Sequence, residues 1–242
     1  MMDIPGYIKD RIIKPPPSAA HVVPGSTPVV AFGNVCTSTV ATLSWNPSKL
    51  EFLGRDGQEL VDDERRLETL KSLGENDLAS ASADVVCRVF DACNNYFHRR
   101  PYRWFIPLEK ILKHVPASYC DGSACHLDLV QWATIKRWSL LTTDERNKLI
   151  DADLDFLKLQ LSQEKLRLLL LNGTGIMNAY KKRLRGELTE PPLLRRGRLT
   201  LFTGRDARGL KVVGWNINLQ GNWASAEEIE AIGAAVAKFW LS

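Results

Sequence analysis

From Leu166 to Leu171 the chain is leucine at every position but one, and Asn172-Gly173 ends the run abruptly. A stretch this short and this apolar has no polar side to turn toward water. It fits a strand covered on both faces, as in a parallel sheet with helices packed above and below. A helix after Gly175 supplies one such cover, so a strand-helix unit is expected here.

Units of the same kind recur along the chain. Two β-rich runs come first, Pro28 to Phe32 and Thr39 to Trp45, the second closed by Asn46-Pro47-Ser48, where proline forbids further ladder pairing. Leu67, Leu70 and Leu73 recur at helical spacing between Asp62 and Leu73, and Asp77 stands where it can cap a helix carrying Val85, Val86, Val89, Phe90 and Cys93. Trp104 to His114 reads as a short helix and Ser123 to Val130 as a strand. Thr143-Asp144-Glu145-Arg146 opens a helix with Leu149, Ile150, Leu154, Leu157 and Leu161 on its apolar positions. Arg198 to Thr203 and Lys211 to Trp215 read as strands about a turn from Gly204 to Gly209, and Ser225 with Glu228 forms a capping box for a last helix to Trp240. The alternation predicts an α/β fold, a three-layer α/β/α sandwich around a short, mainly parallel sheet, with ligands met at the carboxyl ends of the strands. Residues 1–27, rich in Pro, Ser and Gly, are expected as an extended arm and residues 28–242 as one domain.

Hydrophobic residues at 45% and charged residues at 25% are ordinary for a globular chain, and no apolar run approaches the roughly 20 residues of a membrane span. The beginning of the chain carries no secretory pattern, so a cytoplasmic monomer is expected. The five cysteines are unevenly spaced with no CxxC pair, which predicts reduced thiols; Cys120, Cys125 and His126 are too weakly patterned for a metal site, and no metal or cofactor is expected. A net charge of +4 permits nucleic-acid binding, and its distribution matters more than its size.

Polar groups gather just after the strands: Trp45-Asn46-Pro47-Ser48, His126-Leu127-Asp128, Asn172-Gly173 and Asn216-Ile217-Asn218-Leu219-Gln220. In this order, within one α/β domain, they make the chain resemble the uracil-DNA glycosylase superfamily, particularly its mismatch-specific and single-strand-selective branches. The resemblance implies that Asn46 positions the attacking water and that Pro47 fixes the turn. Asp128 stands where the family carries its base-reading residue, usually an amide. Asn216 takes the first position of the last motif, with Leu219 and Gln220 as wedge residues entering DNA; Ile217 and Asn218 replace the family's usual Pro and Ser. The iron-sulfur and classical uracil-removing branches match less well, and no acidic water-activating residue is visible in the first motif.

Glycosidic cleavage builds positive charge on the sugar and negative charge on the departing base, so a site must hold a water and offer donors to the base. Asn46 suits the first task, and Asn216 with backbone N–H groups near Trp45 and Ser48 suits the second. Trp45 and Phe52 are the expected stacking rings for a flipped base, with His126 and Asn218 beside it. An ionised Asp128 can only accept hydrogen bonds, which suits the exocyclic amine of cytosine rather than uracil; enclosed by Leu127 and Leu129, it could also be raised enough in pKa to protonate N3. A modified or damaged cytosine, of the kind carried by phage DNA, is the expected target of this monofunctional glycosylase, in repair or defence. Arg195, Arg196, Arg198, Arg205, Arg208 and Lys211, and Arg99, Arg100 and Arg103 interleaved with Tyr102 and Trp104, are expected phosphate contacts. The alternatives are a non-catalytic nucleic-acid-binding module of the same fold, a uracil-excising repair enzyme, and an enzyme acting on free nucleosides or nucleotides.

Overall fold

The computed structural model describes residues 4–18, 21–189, 192–220 and 224–242. The chain divides into two compact units. The first comprises Met1–Gly33, Trp45–Pro101 and Asp128–Gln160, and the second Asn34–Ser44, Tyr102–Leu127 and Leu161–Ser242.

The second unit is built on the leucine run. Strand β3 (Leu168–Asn172) lies at the centre of a six-stranded sheet, between β1 (Val40–Ser44) and β6 (Lys211–Trp215), and pairs in parallel with both. Leu168, Leu169, Leu170 and Leu171 are each fully buried, worth roughly 1.5–3 kcal/mol apiece relative to exposure. Beyond β1 lies β2 (Ala124–Asp128). Bonds from Ser38 to Gly122, Thr39 to Ser123 and Thr42 to His126 keep one constant separation of 84 residues, as parallel neighbours do. At the other edge β5 (Leu199–Arg205) and β4 (Leu194–Arg196) turn back antiparallel. The sheet is thus mostly parallel.

Helices cover both of its faces. Helix α6 (Thr174–Arg183) packs on β3 and β6, and a Cβ on Gly214 would stand 2.7 Å from Met177 and 3.3 Å from Leu171, so only glycine lets α6 sit this close. Lys211, three residues earlier and therefore on the opposite face of β6, reaches the Trp240 carbonyl at 2.5 Å on α7 (Ala226–Leu241). Helix α7 also packs on α4 (Ile106–Leu112). The Ser225 capping box is formed, with Glu228 N donating to Ser225 Oγ at 3.1 Å and Ser225 N to the Glu228 carboxylate at 2.8 Å.

The first unit holds α1 (Gly6–Ile13), α2 (Leu70–Leu73), α3 (Ala83–Asn94) and α5 (Thr143–Leu161). Part of the expected arm is therefore helical: Ile8 and Ile12 of α1 are fully buried, and α1 packs on α3. Arg11 from α1 is buried with Asp153 of α5, guanidinium to carboxylate at 2.8 Å, and lies 5.3 Å over the Trp132 ring. Desolvation pushes the Asp153 carboxyl up and the Arg11 guanidinium down, against their mutual attraction. Pro28 to Phe32 is buried but forms no strand; Val29 N donates instead to Gln131 O at 2.7 Å. The expected helix at 62–73 shrinks to α2, because Thr69 and Ser72 form a capping box that starts it at Leu70 and Gly74 ends it at φ 75°. Asp77 caps only a turn onto Ala79, and Ser82 starts α3.

Candidate functional site

The chain leaves β1 at Ser44 and enters the first unit through Trp45. Val130 N donates to Trp45 O at 3.0 Å, which ends β2 at Asp128 instead of the expected Val130 and lays the 128–134 segment along the Asn46-Pro47-Ser48 turn. The half-buried Asn46 amide nitrogen shares its two protons among Pro47 O at 3.1 Å, Trp132 O at 3.3 Å and Thr134 Oγ1 at 3.1 Å. Turned over, the amide would aim oxygen at two carbonyls, so its orientation is fixed by its neighbours. Nδ2 is consumed by the fold, and Oδ1 is the atom held out as an acceptor. Pro47 is buried, and exposed Ser48 caps the turn at Lys49–Glu51 by accepting from Leu50 N at 3.2 Å.

The expected stacking rings are placed differently from each other. Trp45 lies against Trp138, ring centroids 5.1 Å apart and 20° from parallel, over a cluster with Val130, Trp132, Leu141, Leu149 and Ile150. Phe52, at 2% exposure, is buried in the core, and Leu60 N donates to its carbonyl at 2.8 Å.

Two carboxyl groups are buried in the same unit. Asp128 is 5% exposed, and its carbonyl accepts from Gln131 Nε2 at 2.8 Å, while Gln131 N donates to Asp153 Oδ2 at 2.8 Å; the Arg11–Asp153 pair thereby anchors the turn that carries Asp128. Glu51 is 3% exposed and accepts from Tyr96 Oη at 2.7 Å. Burial pushes the Glu51 carboxyl up to about 7, the Tyr96 hydrogen bond and the Arg66 charge oppose that rise, and the charge of Asp128 adds to it. Arg66 is held here by its Nη1 bond to Leu50 O and its Nε bond to Arg100 O at 2.9 Å.

The other strand-end candidates belong to the second unit. His126 is buried, its Nδ1 2.6 Å from Thr42 Oγ1 and its ring met edge-on by Trp104 and Phe105 at 5.0 and 5.2 Å. Asn216 spends both ends of its amide on its own chain, accepting from Thr200 N of β5 and donating to Arg198 O just before β5, each at 2.8 Å. Asn172 is the hub instead. Its Oδ1 accepts from Trp215 Nε1 at 3.1 Å and Leu219 N at 3.4 Å, and its Nδ2 donates to Gln220 Oε1 at 2.6 Å. Gln220 in turn donates to Trp104 O at 3.2 Å. Leu219 is consequently 1% exposed, seated inward rather than standing out as a wedge, while Asn218 is exposed and accepts from Gln220 N at 3.0 Å.

Three of the six basic residues near the last strands face acids of their own chain. Arg198 makes a two-pronged pair with Glu228 at 2.8 and 3.0 Å, which holds that carboxylate down to about 2; Arg196 meets Glu227 at 3.7 Å and Arg208 meets Asp206 at 2.8 Å. Arg205 and Lys211 lie over Phe239 at 5.3 and 5.8 Å, and Arg195 is exposed on β4. Arg99, in the first unit, is shared between Glu68 and Asp91.

Glu51 and Tyr96 are residues that sequence reading did not bring forward, and Asn172, seen there only as one polar strand end among four, gains its weight from its partners. Ser48-Lys49-Leu50-Glu51 has the spacing of a capping box, which hides the acid: Glu51 turns inward to Tyr96 rather than back to the Ser48 backbone. No family model matches the chain, and no curated protein matches it in sequence.

Proposed function

We propose that the chain is a monofunctional DNA glycosylase that acts on a modified or damaged cytosine flipped out of DNA, leaving an abasic site. The observation that carries this reading is the Asn46 clamp: an amide whose nitrogen is spent on Pro47, Trp132 and Thr134 presents a rigid acceptor for one proton of a water. That water attacks C1′ of the sugar as the bond from C1′ to the base nitrogen breaks and its electron pair goes to the base. Buried carboxyl groups in the same unit suit an amine-bearing base: Asp128 accepts from the exocyclic amine, and a proton on N3 lets the base depart neutral. Entry of the 216–220 loop into DNA requires Leu219 to leave its buried seat on Asn172. In Asn46→Ala, DNA binding is expected to stay near wild type while abasic sites, read by alkaline strand cleavage of oligonucleotides with modified cytosines, disappear. Abasic sites at the wild-type rate would refute the role.

One observation favours a second reading, an enzyme on free nucleosides or nucleotides: Arg196, Arg198 and Arg208 are each paired with a carboxylate of their own chain. Activity that needs no polynucleotide and is insensitive to salt would select it.

A further inference from the structure

We propose that Leu140 is the side chain that enters the DNA base stack and fills the gap a flipped base leaves. This rests on the glycosylase reading, which makes DNA the partner, and it moves the wedge from Leu219 to the turn Trp138–Leu140.

A wedge must be apolar, exposed, stiff and close to the residue that acts on the sugar. Leu140 is 68% exposed, whereas Leu219 is 1% exposed and Leu141, the next residue in the chain, is 2% exposed. Leu141 anchors the turn in the cluster of Val130, Trp132, Leu149 and Ile150, and Leu140 is left standing outside it. The backbone between them is well held: Leu140 N donates to Arg137 O at 2.8 Å and Leu141 N to Trp138 O at 3.3 Å. From α5, Arg146 donates to Leu141 O through Nε at 2.9 Å and through Nη2 at 2.7 Å. A side chain mounted in this way has little backbone freedom to lose when it enters DNA.

The same turn is joined to the Asn46 clamp at two points. Trp138 stacks on Trp45, the residue before Asn46, with ring centroids 5.1 Å apart. Thr134 Oγ1 accepts from Asn46 Nδ2 at 3.1 Å and donates its own proton to Lys136 O at 2.8 Å, so the segment leading into the turn is tied to the water-positioning amide itself. Leu140 lies two residues past Trp138, about 4 Å further along a helical turn of this tight kind. Charge completes the surface. Lys136 is engaged with Glu145 at 3.3 Å, but exposed Arg137 has no carboxylate partner among the described residues and is left for a phosphate beside the gap.

The test uses the full chain and a duplex carrying a tetrahydrofuran abasic analogue beside 2-aminopurine, whose fluorescence rises when its stack is opened. Abasic-site formation is measured in parallel on modified-cytosine oligonucleotides, as duplex and as single strand. Wild type is expected to raise the fluorescence. Leu140→Ala should abolish that rise and slow duplex turnover by roughly 10- to 50-fold, since three carbons leave the wedge. Its single-strand turnover should stay within about 2-fold of wild type, because an unstacked base needs no wedge, and this also shows that the variant is folded. Leu140→Met should keep both activities, and Leu241→Ala, which trims a leucine 85% exposed elsewhere, should change neither. Arg137→Ala should lower the salt slope of binding by about one. A Leu140→Ala protein that keeps the fluorescence rise, or that loses duplex and single-strand turnover equally, overturns the proposal. So does a wild type that does not bind the abasic duplex, or a self-association in sedimentation that Leu140→Ala abolishes, which makes the turn a contact between copies. A fluorescence rise that needs Leu140, without abasic sites from any oligonucleotide, upholds the wedge and overturns the glycosylase reading; abasic sites formed from duplex with no dependence on Leu140 do the reverse.

Discussion

Replacing Glu51 by Gln removes an acid whose ionisation is opposed by the folded state, and stability against pH should register this without any substrate. The carboxyl ionises near 4.5 in the unfolded chain and at about 7 in the folded protein. Below 4.5 it is protonated in both states and its contribution to stability is complete. Between the two values the folded state binds more protons than the unfolded one, so stability falls as pH rises, and above about 7 the contribution is gone. The interval, about 7 less 4.5, is roughly 2.5 units, which at ~1.36 kcal/mol per unit is about 3 kcal/mol. Glutamine cannot ionise, so the stability of Glu51→Gln relative to wild type should rise by about that amount between pH 4.5 and pH 8, or roughly 6–12 °C in Tm for a chain of this size. Urea melts of both proteins at half-unit pH steps give the difference directly. A difference curve flat to within about 1 kcal/mol would refute the reasoning, because a carboxyl that costs nothing to ionise is not desolvated.

Other predictions follow from the packing. Asp153→Ala leaves the Arg11 guanidinium buried without its partner and frees the backbone N–H of Gln131, so a loss of about 3–5 kcal/mol in urea unfolding is expected. Exchanging Arg11 and Asp153 together for apolar residues should recover much of it. Gly214→Ala drives a methyl to 2.7 Å from Met177 and 3.3 Å from Leu171 and should cost about 1–3 kcal/mol, with Met177→Ala in the same chain reducing the cost; equal penalties with and without Met177 would contradict the α6 contact.

What could be read from residues alone follows from local periodicity. The leucine run is a central strand because an edge strand could not hide leucines on both faces, and β6 runs from Lys211 to Trp215, the bounds read from the sequence. The Ser225 capping box is likewise settled by groups three residues apart. Where the expected pattern failed, a distant contact had overridden a local one. Residues 6–13 are helical because Ile8 and Ile12 find α3, the 28–32 run is not a strand because Val29 bonds to Gln131, and Leu219 turns inward because Asn172, 47 residues earlier, accepts from its backbone. The candidate site divides in the same way. Asn46 and Asp128 are visible as polar residues at strand ends, since proline and the apolar flanks mark those ends in the sequence. That the Asn46 amide has one free face, that Asn216 is spent on its own chain, and that Glu51 is an acid buried beside Tyr96 depend on partners 16 to 88 residues away, and only packing, which decides what each polar group meets when water is removed, brings them together.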